Sequence, residues 1–302
     1  MGGLGGIGEI LLAFMDKGGD VLWLIAALLF AVNFYVQRTG LKALNPITGA
    51  FISVATMAGM FWMLSPFFLD PQWLLDPTIF YFMAAGLTFP AMGQFLQIKS
   101  VSVVGPAVTS AAGSLMPLFA ALPAVIFLGE SFGWQIASGF ALMIFGVALT
   151  SLVGGKLSRS WPLWALLIPI GASASRGLVH PLTKTGMEII QSPLFATMIM
   201  GSMSTLVLLA ITLGSGKGAT LKALPKGAWW FVLTGIINGT GILFVNMAVS
   251  MGDITRVSPF VSTTPIWVLF MGWAFFRVEK LGLIHLMAVI LVVAGSALIV
   301  TR

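Results

Sequence analysis

An arginine and a histidine four residues apart, Arg176 and His180, stand in an otherwise apolar stretch. Residues i and i+4 of a helix share one face. An ionisable side chain inside a membrane-crossing helix is expensive and is a functional candidate by default. A guanidinium there can clamp a carboxylate or phosphate through paired N–H donors. An imidazole beside it can stabilise the anion or relay a proton. The competing reading stretches Arg176 to the headgroups along its aliphatic stem and uses His180 to cap a helix end. An offset of 143 residues pairs Arg176 and His180 with Asn33 and Gln37, a second polar pair of the same spacing.

Neutral polar groups form a further set. Gln94 and Gln97 are spaced i, i+3, Asn238 and Asn246 share a helix side, and Ser110 with Ser114 repeats as Ser258 with Ser262. Inside a bilayer such groups either contact substrate or hydrogen-bond across helices. The candidate substrate contacts are Arg176, His180, Asn33, Gln37, Gln94, Gln97, Asn238, Asn246, Ser114 and Ser262. Pro90, Pro117 and Pro265, with Pro181 and Pro259, interrupt helices and each removes a backbone hydrogen bond. Such breaks either expose carbonyls to a cavity and let half-helices rock or serve packing. Trp23, Phe34 and Tyr35 face either the cavity or lipid.

Other chemistry lacks candidates. All nine acids (Glu9, Asp16, Asp20, Asp70, Asp76, Glu130, Glu188, Asp253, Glu279) fall at segment ends or in loops. A mid-membrane carboxylate for proton-coupled cation export is therefore missing. Zero Cys excludes disulfides, thiolate metal sites and a cysteine nucleophile, and two His make a multi-histidine metal centre implausible. No HExxH, GxSxG or acid pair suggests an enzyme. Gly3-Leu4-Gly5-Gly6-Ile7-Gly8 matches a dinucleotide fingerprint with no strand before it. Gly214-Ser215-Gly216-Lys217-Gly218 lacks the spacing of a phosphate loop. No cofactor, metal or nucleic-acid partner is expected.

The elements that must position these groups follow from composition. Of 302 residues, 58% are hydrophobic and 8% charged, against about 25% charged in soluble domains; mean hydropathy is +1.04. The chain reads as an all-α integral membrane protein. A crossing needs roughly 20 apolar residues. Breaks at charges, Pro and Gly predict ten spans: 20–38, 46–68, 77–97, 102–128, 132–154, 161–181, 191–213, 227–249, 255–276 and 282–301. Residues 1–19 read as a tail without the basic region of a signal peptide. Trp73, Trp134, Trp161, Trp229, Trp230 and Trp273 near span ends suggest an interfacial belt.

An internal repeat organises the spans. Ser114-Leu115-Met116-Pro117, with Glu130 thirteen residues on, matches Ser262-Thr263-Thr264-Pro265, with Glu279 fourteen on. Gly146 falls on Gly295 and Gln97 on Asn246, at offsets of 148 to 149. The repeats are 20–154 and 155–302. Five spans each is odd, so the halves insert with opposite orientation, a signature of transporters that alternate access around a midplane site. This arrangement of mid-helix Pro, following Glu and closing-helix Gly resembles the EamA-type, ten-helix branch of the drug/metabolite transporter superfamily, over nearly the whole chain. The resemblance implies a basket-shaped bundle whose cavity is formed by the first, third, fourth, sixth, eighth and ninth helices. It also implies movement of small metabolites, often amino-acid export, and termini inside the cell.

Charge counting points the other way on orientation. Loops after odd-numbered spans hold ten basic residues (Arg38, Lys42, Lys99, Lys156, Arg159, Lys217, Lys222, Lys226, Arg277, Lys280), against Lys17, Lys184, Arg256 and Arg302 opposite. Basic loops stay cytoplasmic, which puts both termini outside. The expectation is a secondary transporter, an exporter, in the cell (inner) membrane, handling a small anionic or zwitterionic metabolite such as an amino acid by alternating access. The alternative is an organic cation or drug held by aromatic faces. A coupling ion and the oligomeric state stay open.

Overall fold

A computed structural model describes residues 19–116, 118, 119, 133–153, 161–216, 225–251, 264–275 and 283–300. Among them the helices are α1 (Gly19–Gly40), α2 (Pro46–Leu64), α3 (Ile79–Gly86), α4 (Gly93–Val103), α5 (Gly105–Gly113), α6 (Trp134–Val153), α7 (Leu167–Ile189), α8 (Pro193–Gly214), α9 (Trp229–Met251), α10 (Thr264–Ala274) and α11 (Leu283–Val300). No strand occurs among the described residues. Four described helical segments are long and apolar enough to cross a bilayer: Pro46–Phe67, Ile79–Val103, Pro193–Gly214 and Lys226–Ala248. Four shorter ones are also apolar. Large side chains such as Met63, Phe67, Phe80, Phe145 and Leu206 lie exposed on the outer surface. In water that would be a liability; around a bundle in lipid it is the lipid-facing coat.

Local chemistry sets several boundaries. Asn45 accepts a hydrogen bond from Thr48 N at 3.0 Å and Pro46 opens α2; Ser192 accepts from Phe195 N at 3.2 Å and Pro193 opens α8. These are N-caps with proline in the first turn, and they occupy corresponding places 147 residues apart. The half-buried Asp76 carboxylate, hydrogen-bonded by Thr78, is held below its usual pKa.

Three expectations about boundaries are corrected. The third span does not end at 97: α3 and α4 are joined by a π-helical turn, Leu87–Met92, and continue to Val103. The reversal falls at Gly105, whose φ of 83° suits glycine. The sixth span runs on to Ile189, and Pro181 lies inside α7 without ending it. Proline is tolerated within membrane helices because neighbouring groups resatisfy the freed backbone. Pro117, Pro259, Glu130, Glu279 and Ser262 lie outside the described residues.

Close glycine contacts reveal the repeat in three dimensions. A Cβ on Gly146 of α6 would meet Val292 Cγ2 at 2.6 Å and Ala288 O at 2.7 Å; on Gly295 of α11 it would meet Gly139 O, and Met143 Cγ at 2.8 Å. Every one of these residues pairs with its counterpart at an offset of 149. The contacts are reciprocal, and their order along the two helices makes α6 and α11 antiparallel. A second mirrored pair sets Gly86 of α3 against the Met200 backbone of α8, and Gly235 of α9 against the Ser53 backbone of α2. The halves are therefore inverted about a pseudo-two-fold axis.

The same contacts revise one register. Gly40 of α1 packs under the Phe231 ring, and Gly186 of α7 packs under the Phe82 ring. The first and sixth helices thus correspond at an offset of 146, not 143. Arg176 is the mate of Phe30, and His180 of Phe34. Asn33 and Gln37 are the mates of Val179 and Thr183. The earlier offset matched polar to polar, whereas packing aligns the small residues that let helices approach.

Hydroxyls fasten the interior. Tyr35 Oη donates to Val268 O at 2.7 Å, tying α1 to α10; Ser173 Oγ donates to Ala112 O at 2.7 Å, tying α7 to α5; Ser204 Oγ donates to Gly86 O at 2.6 Å, tying α8 to α3. Phe34 and Tyr35 are buried in an apolar cluster with Ala31, Val101 and Val268. They face neither lipid nor the cavity described next. Trp229 stacks on Trp230 at 3.8 Å at the start of α9, and Trp134 and Trp273 are exposed near helix ends, as an interfacial belt requires.

Candidate functional site

A cavity sits where α1, α7, α8 and α9, the π-turn after α3 and the segment after α5 converge. Its walls are Phe30, Phe89, Met116, Arg176, Val179, His180, Met200, Ile242, Val245 and Asn246, and its volume is about 30 Å³. That admits roughly two water molecules.

Arg176 is the tenth residue of α7, near its middle. The guanidinium donates from Nη2 to Gln97 Oε1. Gln97 Nε2 in turn donates to Gln37 Oε1 at 3.2 Å. A relay therefore crosses from α7 through α4 to α1. The guanidinium carbon also lies 5.6 Å from the Phe30 ring centre and 5.0 Å from that of Phe89, within cation–π range. Neither these rings nor Gln97 carries a negative charge, and Nε has no hydrogen-bond partner among the described residues. Burying a cation without a counter-charge is costly. The described partners of Arg176 are therefore an amide and two rings, all uncharged.

His180 is buried one turn on, with Nδ1 unpartnered among the described residues. Asn246 Nδ2 donates to Thr197 Oγ1 at 2.8 Å, which fixes the amide against α8. Pro90 does mark a break: Phe89 ahead of it has extended angles (φ −146°, ψ 131°) inside the helical run. A residue before proline is driven out of the helical region, and here the excursion delivers the Phe89 ring to the cavity wall.

The remaining candidates divide. Gln37 and Gln97 reach the site through the relay. Asn33, Gln94 and Asn238 are buried off the cavity wall, and Asn33 and Gln94 have both amide atoms unpartnered among the described residues. Ser114 donates its hydroxyl back to Ser110 O at 3.4 Å, within its own helical segment. Pro265 is buried in the first turn of the described part of α10. Sequence reasoning missed the apolar wall of Phe30, Phe89, Met116, Val179, Met200, Ile242 and Val245. A signal existed for part of it: Ile242, Val245 and Asn246 follow helical spacing, and Phe89 precedes a mid-span proline.

The EamA-like transporter family matches residues 17–152 and again 162–301, one copy of the family unit per half. This chain belongs to that family. Among related sequences, an uncharacterized transporter in the cobO 3' region of Sinorhizobium sp is 31% identical over 144 residues, 47% of this chain and 98% of that protein. The glucose uptake protein GlcU of Staphylococcus xylosus is 30% identical over 52% of this chain and 54% of its own length. A probable terminal-alkyne amino-acid exporter of Streptantibioticus cattleyicolor is 32% identical over 25% of this chain and 27% of its own. A solved crystal structure that is 13% identical matches the fold with a TM-score of 0.65, over 93% of this chain and 96% of that one. The EamA chain is thus a multi-pass membrane transporter with a duplicated, inverted architecture.

Proposed function

We propose that this EamA-family chain is a secondary transporter that exports a small anionic or zwitterionic metabolite, such as an amino acid, across the cell (inner) membrane by alternating access. The observation that carries this reading is Arg176: a guanidinium on the wall of a mid-depth cavity whose described partners are all uncharged. A substrate carboxylate would supply the missing counter-charge and accept from Nε, which has no other described partner. The rival substrate, an organic cation held by aromatic faces, is disfavoured because Phe30 and Phe89 already face the guanidinium. A ligand cation would meet Arg176 as a like charge. The relative named as an amino-acid exporter supports both the outward direction and the substrate class.

A ligand that binds the folded state raises the unfolding midpoint by mass action. Amino acids and organic acids are expected to raise the midpoint of the purified protein in detergent, and quaternary ammonium compounds to leave it unchanged. Stabilisation by the cations alone would overturn the reading.

Orientation is testable because the chain has no native cysteine. The ten-to-four bias of basic residues predicts that the turn after α1 is cytoplasmic. Lys42 is exposed there. A Lys42→Cys variant in intact cells is therefore expected to resist a membrane-impermeant thiol reagent until the membrane is permeabilised. Labelling of intact cells would invert the orientation.

A further inference from the structure

A second group of polar residues lies beside the cavity. The contacts of Gly40 with Phe231, and of Gly241 with Phe30, set α1 and α9 antiparallel. In that register Asn33 lies level with Asn238, and Gln37 with Thr234. All four are at most 2% exposed, as is Gln94 on α4. Their polar atoms are conspicuously unpaired. Asn33 Nδ2 and Oδ1, Gln94 Nε2 and Oε1, Gln37 Nε2, Thr234 Oγ1 and Asn238 Oδ1 have no hydrogen-bond partner among the described residues. Asn33 and Asn238 therefore face the same interface at one depth without bonding to each other.

Helix packing does not require this polarity. The pseudo-two-fold mates of Asn33 and Asn238 are Val179 and Phe89; those of Thr234 and Gln94 are Ala85 and Leu243. The mirrored helix pair is built from apolar side chains at these places. Moreover, Val179 and Phe89 are themselves walls of the cavity. Asn33 and Asn238 are thus the counterparts, in the other half, of two cavity-wall residues.

The unpaired atoms also define a ligand chemistry. Three are amide N–H donors (on Asn33, Gln37 and Gln94), three are amide carbonyl acceptors (on Asn33, Gln94 and Asn238), and Thr234 contributes a hydroxyl that is both. A metal cation would use only the acceptors and an anion only the donors. A hydroxyl group donates and accepts at once and satisfies the mixture. We propose that Asn33 and Asn238 form a hydroxyl-binding subsite next to Arg176, so that the preferred substrate is a hydroxylated carboxylic acid of the sugar-acid class. This rests on the anion reading for the carboxylate end and adds the tail.

Four probes separate the two parts: gluconate, hexanoate, sorbitol and alanine, titrated against the purified protein by calorimetry and by thermal shift. A site built to hydrogen-bond a hydroxyl strongly rejects the analogue that lacks it. Gluconate is expected to bind at least about tenfold more tightly than hexanoate, which has the same chain length without hydroxyls. Asn33→Val, which copies the residue its mate already uses, should remove that preference and leave hexanoate unchanged. Equal affinity for gluconate and hexanoate in the wild type overturns the subsite, as does a preference that survives Asn33→Val, alanine binding more tightly than gluconate, or no binding by any probe. Sorbitol binding that is lost in Asn33→Val, without binding of either acid, supports the subsite and overturns the anion reading instead. The wild-type comparison stands even where the variant fails to fold.

Discussion

Arg176→Ala is expected to abolish transport of an anionic substrate while leaving the protein folded. Charge-assisted hydrogen bonds to a carboxylate contribute about 1.5–3 kcal/mol each, and paired ones act together. Loss of two such bonds lowers affinity by roughly two to four orders of magnitude. Folding should survive because no described ion pair depends on this side chain; what is lost is the bond to Gln97 and two ring contacts. Flux measured in proteoliposomes, with the folded fraction followed by size-exclusion chromatography, decides the matter. Wild-type flux through a folded Arg176→Ala protein would remove the arginine from the mechanism. Arg176→Lys should recover only part of the activity, since an ammonium keeps the charge but not the planar pair of donors.

The second large effect concerns the fold. Gly86→Val and Gly235→Val are expected to destabilise the protein to a similar degree, about 3 kcal/mol or more each, because overpacking against backbone finds little room to relax. A Cβ at Gly86 would stand 2.6 Å from Met200 O and 3.0 Å from Met200 Cα, and one at Gly235 would press on the Ser53 carbonyl. Flexible side chains can yield to such an intrusion; helix backbone cannot. The unfolding midpoint in detergent should therefore fall by a comparable amount in both variants. Gly59→Val, at a position with nothing within 4 Å, is the control. Tolerance of one substitution and collapse on the other would mean that the two interfaces are not equivalent.

Much of this was legible in the chain because hydropathy and oddness are global properties. The breaks at Asp70, Pro71, Lys156 and Gly216 separate apolar runs whatever the tertiary details, and five spans per half force inversion. Arg176 was conspicuous because a cation in an apolar run has few structural uses. The boundary at Val103 was not legible. Gln94, Gln97 and Lys99 look like an ending, yet the first two are buried in helix and only Lys99 is exposed. The register of the first helix against the sixth also escaped, since identity between the halves is low and chemical likeness pulled Arg176 onto Asn33. Gly40 and Gly186 carry the true alignment, but that a ring covers each of them is a fact of packing. The cavity wall was the least visible part. Phe30 and Ile242 look like every other apolar residue in a lipid-soluble chain, and only convergence in space distinguishes them.

The α6–α11 contact has an implication for how such a protein arises. Gly146 touches the mates of the residues that touch Gly295, so the interface is isologous: each surface recognises an upside-down copy of itself. A single five-helix unit carrying that surface already contains both sides of its own dimer, provided two copies enter the membrane in opposite senses. Gene duplication would then have added no new recognition, only a tether and the freedom for the copies to diverge. The divergence is visible where Asn33 and Asn238 oppose Val179 and Phe89: a fused pair can be polar on one side of its axis and apolar on the other, which two identical chains cannot.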